Sequence, residues 1–159
     1  MIDLPRTYPE RPVVGVGGIV LVDGCVVLVR RGHAPLAGEW SLPGGALELG
    51  ETLREGVARE IREETGLVVD VGPLVGVFDR ILLDDGGQVQ YHYVLVDYVC
   101  HARGGALCCA SDATEAAIAD PQALDAYRLA RETQDVIARA LTVAKDSGLS
   151  ERSGSKGKP

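Results

Sequence analysis

Residues 45–67 read GALELGETLREGVAREIREETGL, and the way this stretch distributes its charge decides the reading of the chain. Thr52 and Glu55 have capping-box spacing, Leu53, Val57 and Ile61 recur every four residues, and Gly66 suits the left-handed position after a last turn. A helix over residues 52–65 is predicted. At about 100° per residue, with Leu53 at zero, Val57 falls near about 40° and Ile61 near about 80°. Glu64 then lies at about 20° and Glu60 at about 340°, inside the apolar stripe, with Glu63 flanking it at about 280°. Uncompensated carboxylates packed against an apolar face cost several kcal/mol or take up a proton. Something positive is therefore expected on that side of the helix. Oxygen-only ligands on one helix, without Cys or His nearby, select a hard divalent cation such as Mg²⁺ or Mn²⁺ and disfavour zinc. The competing reading is a surface helix whose REIREE run is a solvated face with i,i+4 pairs.

Before this helix, residues 32–51 are rich in Gly and contain two Pro, which suits an ordered loop and not a helix. Upstream, residues 13–22 and 25–30 are β-branched runs separated by Asp23-Gly24, the pattern of a tight hairpin. Downstream, strands are expected over residues 67–71, 73–79 and 88–100, and a second amphipathic helix over roughly residues 121–145. The order of elements predicts a mixed sheet covered by helices on two faces, an α/β class of fold. One domain is expected over residues 12–145, with an N-terminal extension over 1–11 and a disordered tail over 146–159.

The chain has 159 residues, 46% of them hydrophobic and 25% charged, ordinary for a single globular domain that buries a core. Sixteen Lys and Arg against 23 Asp and Glu leave a net charge of -7, which disfavours binding to duplex nucleic acid or to an anionic membrane. A phosphate-bearing substrate would need local arginines or bound metal ions to hold it. Cys25, Cys100, Cys108 and Cys109 form neither a zinc pattern nor a disulfide framework, and they read as reduced thiols. With no secretory pattern or long apolar run, the expected location is the cytoplasm.

Across residues 45–67 the spacing is Gly45, five residues, Glu51, seven residues, Arg59-Glu60-Ile61, one residue, Glu63-Glu64, one residue, Gly66-Leu67. This resembles the Nudix box, GX5EX7REUXEEXGU with U a large aliphatic residue, at every specified position. A looser resemblance runs from about Val13 to Leu141 and includes the lead-in at residues 41–45. The resemblance implies a Nudix-type α/β/α sandwich with a mixed β-sheet. It also implies metal-dependent cleavage of a nucleoside diphosphate linked to another moiety, with water attacking phosphorus. ADP-ribose, other nucleotide sugars and nucleoside triphosphates are the implied substrate classes. By the same resemblance Glu60, Glu63 and Glu64 hold Mg²⁺ or Mn²⁺ with the help of the Gly44 carbonyl. Arg59 orients the glutamates together with Glu51, and Glu60 is the provisional general base. A nucleotide sensor of the same fold without turnover is the alternative, although such domains commonly lose box glutamates.

Other candidates carry weaker signals. Asp112 and Glu115 are the choices for an extra acidic ligand or base, with a solvated turn as the equal reading. Arg30, Arg31 and Arg80 suit phosphate or ribose, and each has a surface-charge alternative. Trp40, Tyr91, Tyr93 and Phe78 are candidates to stack on a base, though strand tyrosines more often pack in sheets. His33 and His92 are candidates for acid-base work. The expected partner is a small nucleotide diphosphate, and a homodimer is one assembly open to the chain.

Overall fold

The computed structural model describes residues 6–108 and 113–148. Strands β1 (Val13–Val22) and β2 (Cys25–Arg31) form the expected hairpin, with Asp23 and Gly24 at φ 48° and 78° in the left-handed region that an Asp-Gly turn tolerates. The predicted loop contains two short strands, β3 (Trp40–Ser41) and β4 (Gly44–Ala46), which pair with β2 and β1 respectively. Helix α1 (Leu53–Thr65) starts on the Thr52–Glu55 capping box and stops at Gly66, where φ is 73°. The sheet continues with β5 (Leu67–Leu83), β6 (Val89–Gly105) and β7 (Ala113–Ala119), and the chain then reaches α2 (Arg131–Asp146).

The strand order is β3-β2-β1-β6-β5, with β4 beside β1 and β7 beside β2. β1 and β6 run parallel and the other pairs are antiparallel, so the sheet is mixed. Val57 and Ile61 of α1 are fully buried on one face against Val16, Val20, Val27 and Val96. Burial of each such side chain contributes about 1.5–3 kcal/mol. A methyl group on Gly18 of β1 would meet Ile61 Cδ1 at 2.5 Å, so the helix packs as closely as a bare backbone allows. Ile137, Ala140 and Ala144 of α2 cover the opposite face over Ile19, Val26, Leu28 and Val99. The architecture is an α/β/α sandwich.

Three elements differ from the sequence expectation. The two strands predicted around Pro73 are one strand, β5, which lies at the sheet edge. Shifts in its register with β6 fall between Val71 and Leu74 and between Leu74 and Gly76, and an edge strand with such irregularities accommodates a proline. The segment around Glu115 is strand β7 and not a turn, paired antiparallel with β2 from Val26–Ala119 to Arg31–Ala113. The second helix is broken into a 3-10 turn (Leu124–Tyr127) and α2. Arg128 takes a left-handed φ of 50° at the break, Tyr127 meets Trp40 edge-on at 5.1 Å, and Leu129 is buried. In the N-terminal extension, the Tyr8 amide donates to Gln90 O at 2.8 Å and its hydroxyl to Asp84 Oδ2 at 2.9 Å. Residues 149–159 of the expected tail, and Asp112 and Cys109, lie outside the described residues.

Candidate active site

The site is built where the loop before α1 folds back over the helix. β4 pairs with the start of β1, Gly44 opposite Gly17 and Gly45 opposite Val16, which holds the loop against the sheet. The Gly44 amide donates to Glu64 Oε2 at 3.0 Å, joining the loop to the last turn of α1. A methyl group on Gly45 would come within 2.5 Å of the Glu60 carboxylate, so only glycine lets that carboxylate lie against the strand.

Arg59 is the hub of the arrangement. Its Nε donates to Glu51 Oε1 at 2.6 Å and its Nη2 to Glu51 Oε2 at 3.0 Å, a bidentate fork. Nη1 donates to Glu60 Oε1 at 2.8 Å and to Glu63 Oε2 at 3.3 Å, and Nη2 also reaches the Ala46 carbonyl at 3.1 Å. The fork holds the Glu51 carboxyl below the ordinary carboxylate range, while its ion pairs, Glu51 first, push the Arg59 guanidinium further up. Glu60 moves the other way. Burial pushes its carboxyl up despite the hydrogen bond and charge of Arg59, repulsion from Glu63 adds to the rise, and Arg6 opposes it.

Gly56, inside α1, was not singled out by the sequence reading. A methyl group there would lie 2.8 Å from Leu47 Cδ1 and 3.0 Å from Glu51 Oε2, so this helical glycine makes room for the folded-back loop. Its signal in the sequence is a glycine in mid-helix, where alanine would favour the helix by about 1 kcal/mol.

Glu60, Glu63, Glu64, Arg59 and Gly44 line a broad cleft of about 2130 Å³, larger than an ordinary small-molecule pocket. Arg6, Arg11, Arg31, Arg80 and Arg139 line it as well, so an acidic protein presents local cations where the box glutamates lie. Trp40, Phe78, Tyr93 and His33 also reach the cleft. Arg31 Nε is additionally held by the Pro35 carbonyl at 2.8 Å.

Four candidates are placed elsewhere. Arg30 pairs with Glu115 at 3.1 Å across the β2–β7 ladder, and neither lines the cleft. Tyr91 is buried beside the N-terminal segment, stacked on Tyr93 with ring centroids 6.3 Å apart, and its hydroxyl accepts from Thr7 Oγ1 at 3.5 Å. His92 is likewise outside the cleft lining.

As the side chains stand, no three acidic or metal-ligating groups among the described residues converge on one point, because Arg59 engages Glu60 and Glu63. The donor set itself fits a hard divalent ion: carboxylate oxygens from one helix, with Glu60 partly buried and its pKa raised first by that burial.

A family model of the NUDIX domain matches residues 11–140. The chain is 39% identical over 109 residues to an ADP-ribose pyrophosphatase of Methanocaldococcus jannaschii, a match that covers 69% of this chain and 62% of that protein. It is 32% identical over 125 residues to a nucleoside triphosphatase, NudI, of Salmonella paratyphi B, covering 73% of this chain and 87% of that one. A crystal structure of a MutT NUDIX hydrolase from Burkholderia pseudomallei superposes with a TM-score of 0.70 at 31% identity, over 82% of this chain and 98% of the other. No helix among the described residues is long and apolar enough to cross a membrane.

Proposed function

The chain belongs to the NUDIX domain family, and on that premise we propose that it is a metal-dependent pyrophosphohydrolase of a nucleoside diphosphate linked to another moiety. ADP-ribose, other nucleotide sugars and nucleoside triphosphates form the substrate class. The observation that supports this reading is that Glu60, Glu63 and Glu64 line a cleft that arginines also line, with Arg59 clamped between Glu51 and Glu60.

In this reading Glu60, Glu63 and Glu64 hold Mg²⁺ or Mn²⁺, with Gly44 offering its carbonyl. The bound ion would neutralise diphosphate charge and make phosphorus more electrophilic. Arg59 orients Glu60 and Glu63 through hydrogen bonds that its fork on Glu51 keeps in register. Arginines across the cleft, Arg31 and Arg80 among them, take the remaining phosphate charge. One water adds to phosphorus and one P–O–P anhydride bond breaks, leaving two phosphate monoesters from a nucleotide sugar, or a shortened nucleotide and phosphate or pyrophosphate from a triphosphate. In this reading Glu60 also accepts the proton that the water gives up. The reduced thiols Cys25 and Cys100 suit a cytoplasmic enzyme.

The test is a screen of nucleoside diphosphate-linked compounds with Mg²⁺, reading phosphate released after coupled phosphatase treatment. Turnover of at least one ADP-ribose, nucleotide-sugar or nucleoside triphosphate substrate is expected. Inactivity across all three groups would leave the site as a nucleotide sensor.

A further inference from the structure

β1 turns Gly15 and Gly17 toward the cleft, and β6 runs parallel beside it with Leu95 opposite Gly15 and Asp97 opposite Gly17. A methyl group on Gly17 would lie 2.5 Å from Asp97 Oδ1, and one on Gly15 would lie 2.7 Å from Leu95 Cδ2. The bare backbone is therefore what leaves space for these two side chains on the cleft floor.

Asp97 is only 7% exposed, yet it lines the cleft. Among the described residues its carboxylate has no hydrogen bond or ion pair, and burial alone pushes its pKa up to about 6. Burying a lone carboxylate costs several kcal/mol unless something satisfies it. Nothing in the folding of the sheet requires this cost, since Val99, two residues along the same face, is a fully buried valine.

An ionised carboxylate offers two adjacent acceptors and no donor. Leu95 lies two residues along the same strand face, and the flat or apolar Phe78 and Tyr93 line the same cleft. A planar group with paired N–H donors along one edge fits that combination.

We propose that Asp97 determines base specificity by accepting N–H donors from the substrate's nucleobase, with guanine, whose N1–H and 2-amino group are adjacent, as the complementary base. This rests on the reading of the cleft as a nucleotide diphosphate site and names the base within that class. Hypoxanthine keeps N1–H and lacks the amino group. Adenine turns a lone pair at N1 toward the carboxylate. Gly17 serves the same discrimination by keeping the carboxylate unobstructed.

The test is calorimetric titration of GDP, IDP, ADP and inorganic pyrophosphate, each with Mg²⁺, into the wild type and the Asp97→Asn and Gly17→Ala variants. Wild type is expected to bind GDP roughly tenfold or more tighter than IDP, and ADP more weakly still, the scale of one charge-assisted hydrogen bond. Asp97→Asn should bring the three nucleotides within about threefold of one another while pyrophosphate affinity stays within about twofold. Gly17→Ala, which retains the carboxylate and crowds it, should also erase the preference, with a cooperative melt showing that it folds. A wild type indifferent to the base, or an unchanged ranking in Asp97→Asn, would overturn the proposal. Equal loss of pyrophosphate binding in Asp97→Asn would overturn it too, by placing Asp97 at the phosphate end. Failure of wild type to bind pyrophosphate at all would instead bring down the diphosphate reading on which the proposal rests.

Discussion

Arg59 and Glu51 form a two-bond fork across the turn between the glycine-rich loop and α1, with Nε–Oε1 at 2.6 Å and Nη2–Oε2 at 3.0 Å. On a helical wheel Arg59 points away from the apolar stripe, at about 240°, but the loop folds over that side and leaves its side chain 21% exposed. Lysine would keep the charge and lose the fork. Arg59→Lys is expected to lower turnover at least ~10-fold, the usual scale for a group that orients a metal ligand. Arg62→Lys, at an exposed position of the same helix, should change it less than about twofold. Arg54 is unsuitable as that control, because it donates to Val71 O at 2.7 Å and lies over the Tyr98 ring. Matched steady-state rates under saturating Mg²⁺ and substrate decide the matter.

Gly56 tests the same clamp from beneath. Helix propensity alone says Gly56→Ala stabilises α1 by about 1 kcal/mol. The contacts at 2.8 Å to Leu47 and 3.0 Å to Glu51 say the opposite. The variant is expected to melt at a lower temperature than wild type, by roughly 1–3 kcal/mol of stability, the scale of overpacking a core. A rise in Tm would show that the loop moves aside freely.

Glu60 and Glu51 give stability a pH dependence of opposite signs. The lowered pKa of Glu51, set first by its Arg59 fork, means that this pair stabilises above the ordinary carboxylate value and is lost as pH falls through the depressed one. The raised pKa of Glu60 means that its ionisation destabilises the metal-free protein as pH rises through the raised value. A cation relieves that second effect. The increase in Tm caused by Mg²⁺ should therefore grow as pH is raised from about 5 to about 8, and grow less in Glu60→Gln. Equal Mg²⁺ shifts at both ends of that range would contradict this assignment.

Asp97 makes a separate stability prediction that needs no ligand. Its pKa, raised by burial to about 6, makes folding less favourable as pH rises through that value. Asp97→Asn should be more stable than wild type at about pH 8, by up to ~3 kcal/mol, with the gain shrinking toward about pH 5. Denaturant melts at the two pH values measure the difference.

The helix, the hairpin and the box were legible in the sequence because each rests on local spacing: a Thr-x-x-Glu cap, an Asp-Gly turn, and glutamates three and four residues apart. The direction of Glu60 and Glu64 could also be read from the wheel. What was not legible depends on pairing between distant segments. β7 is alanine-rich and becomes a strand through its ladder with β2, which also sets Glu115 against Arg30. The left-handed Arg128 that divides the predicted helix goes with tertiary packing of Tyr127 on Trp40. Asp97 reads in sequence as one polar residue in an apolar strand, and only the parallel register with Gly17 turns it into a floor residue of the cleft.

The most direct measurement is the turnover of Glu64→Gln on the best substrate of the screen, with and without added Mg²⁺, beside its melting temperature. Glutamine keeps the shape and an acceptor for the Gly44 amide while removing the charge. The account predicts a loss of two or more orders of magnitude, on the order of 3 kcal/mol in the barrier, with Tm close to wild type. Wild-type turnover by Glu64→Gln, or undiminished activity of the native enzyme in EDTA, would contradict it.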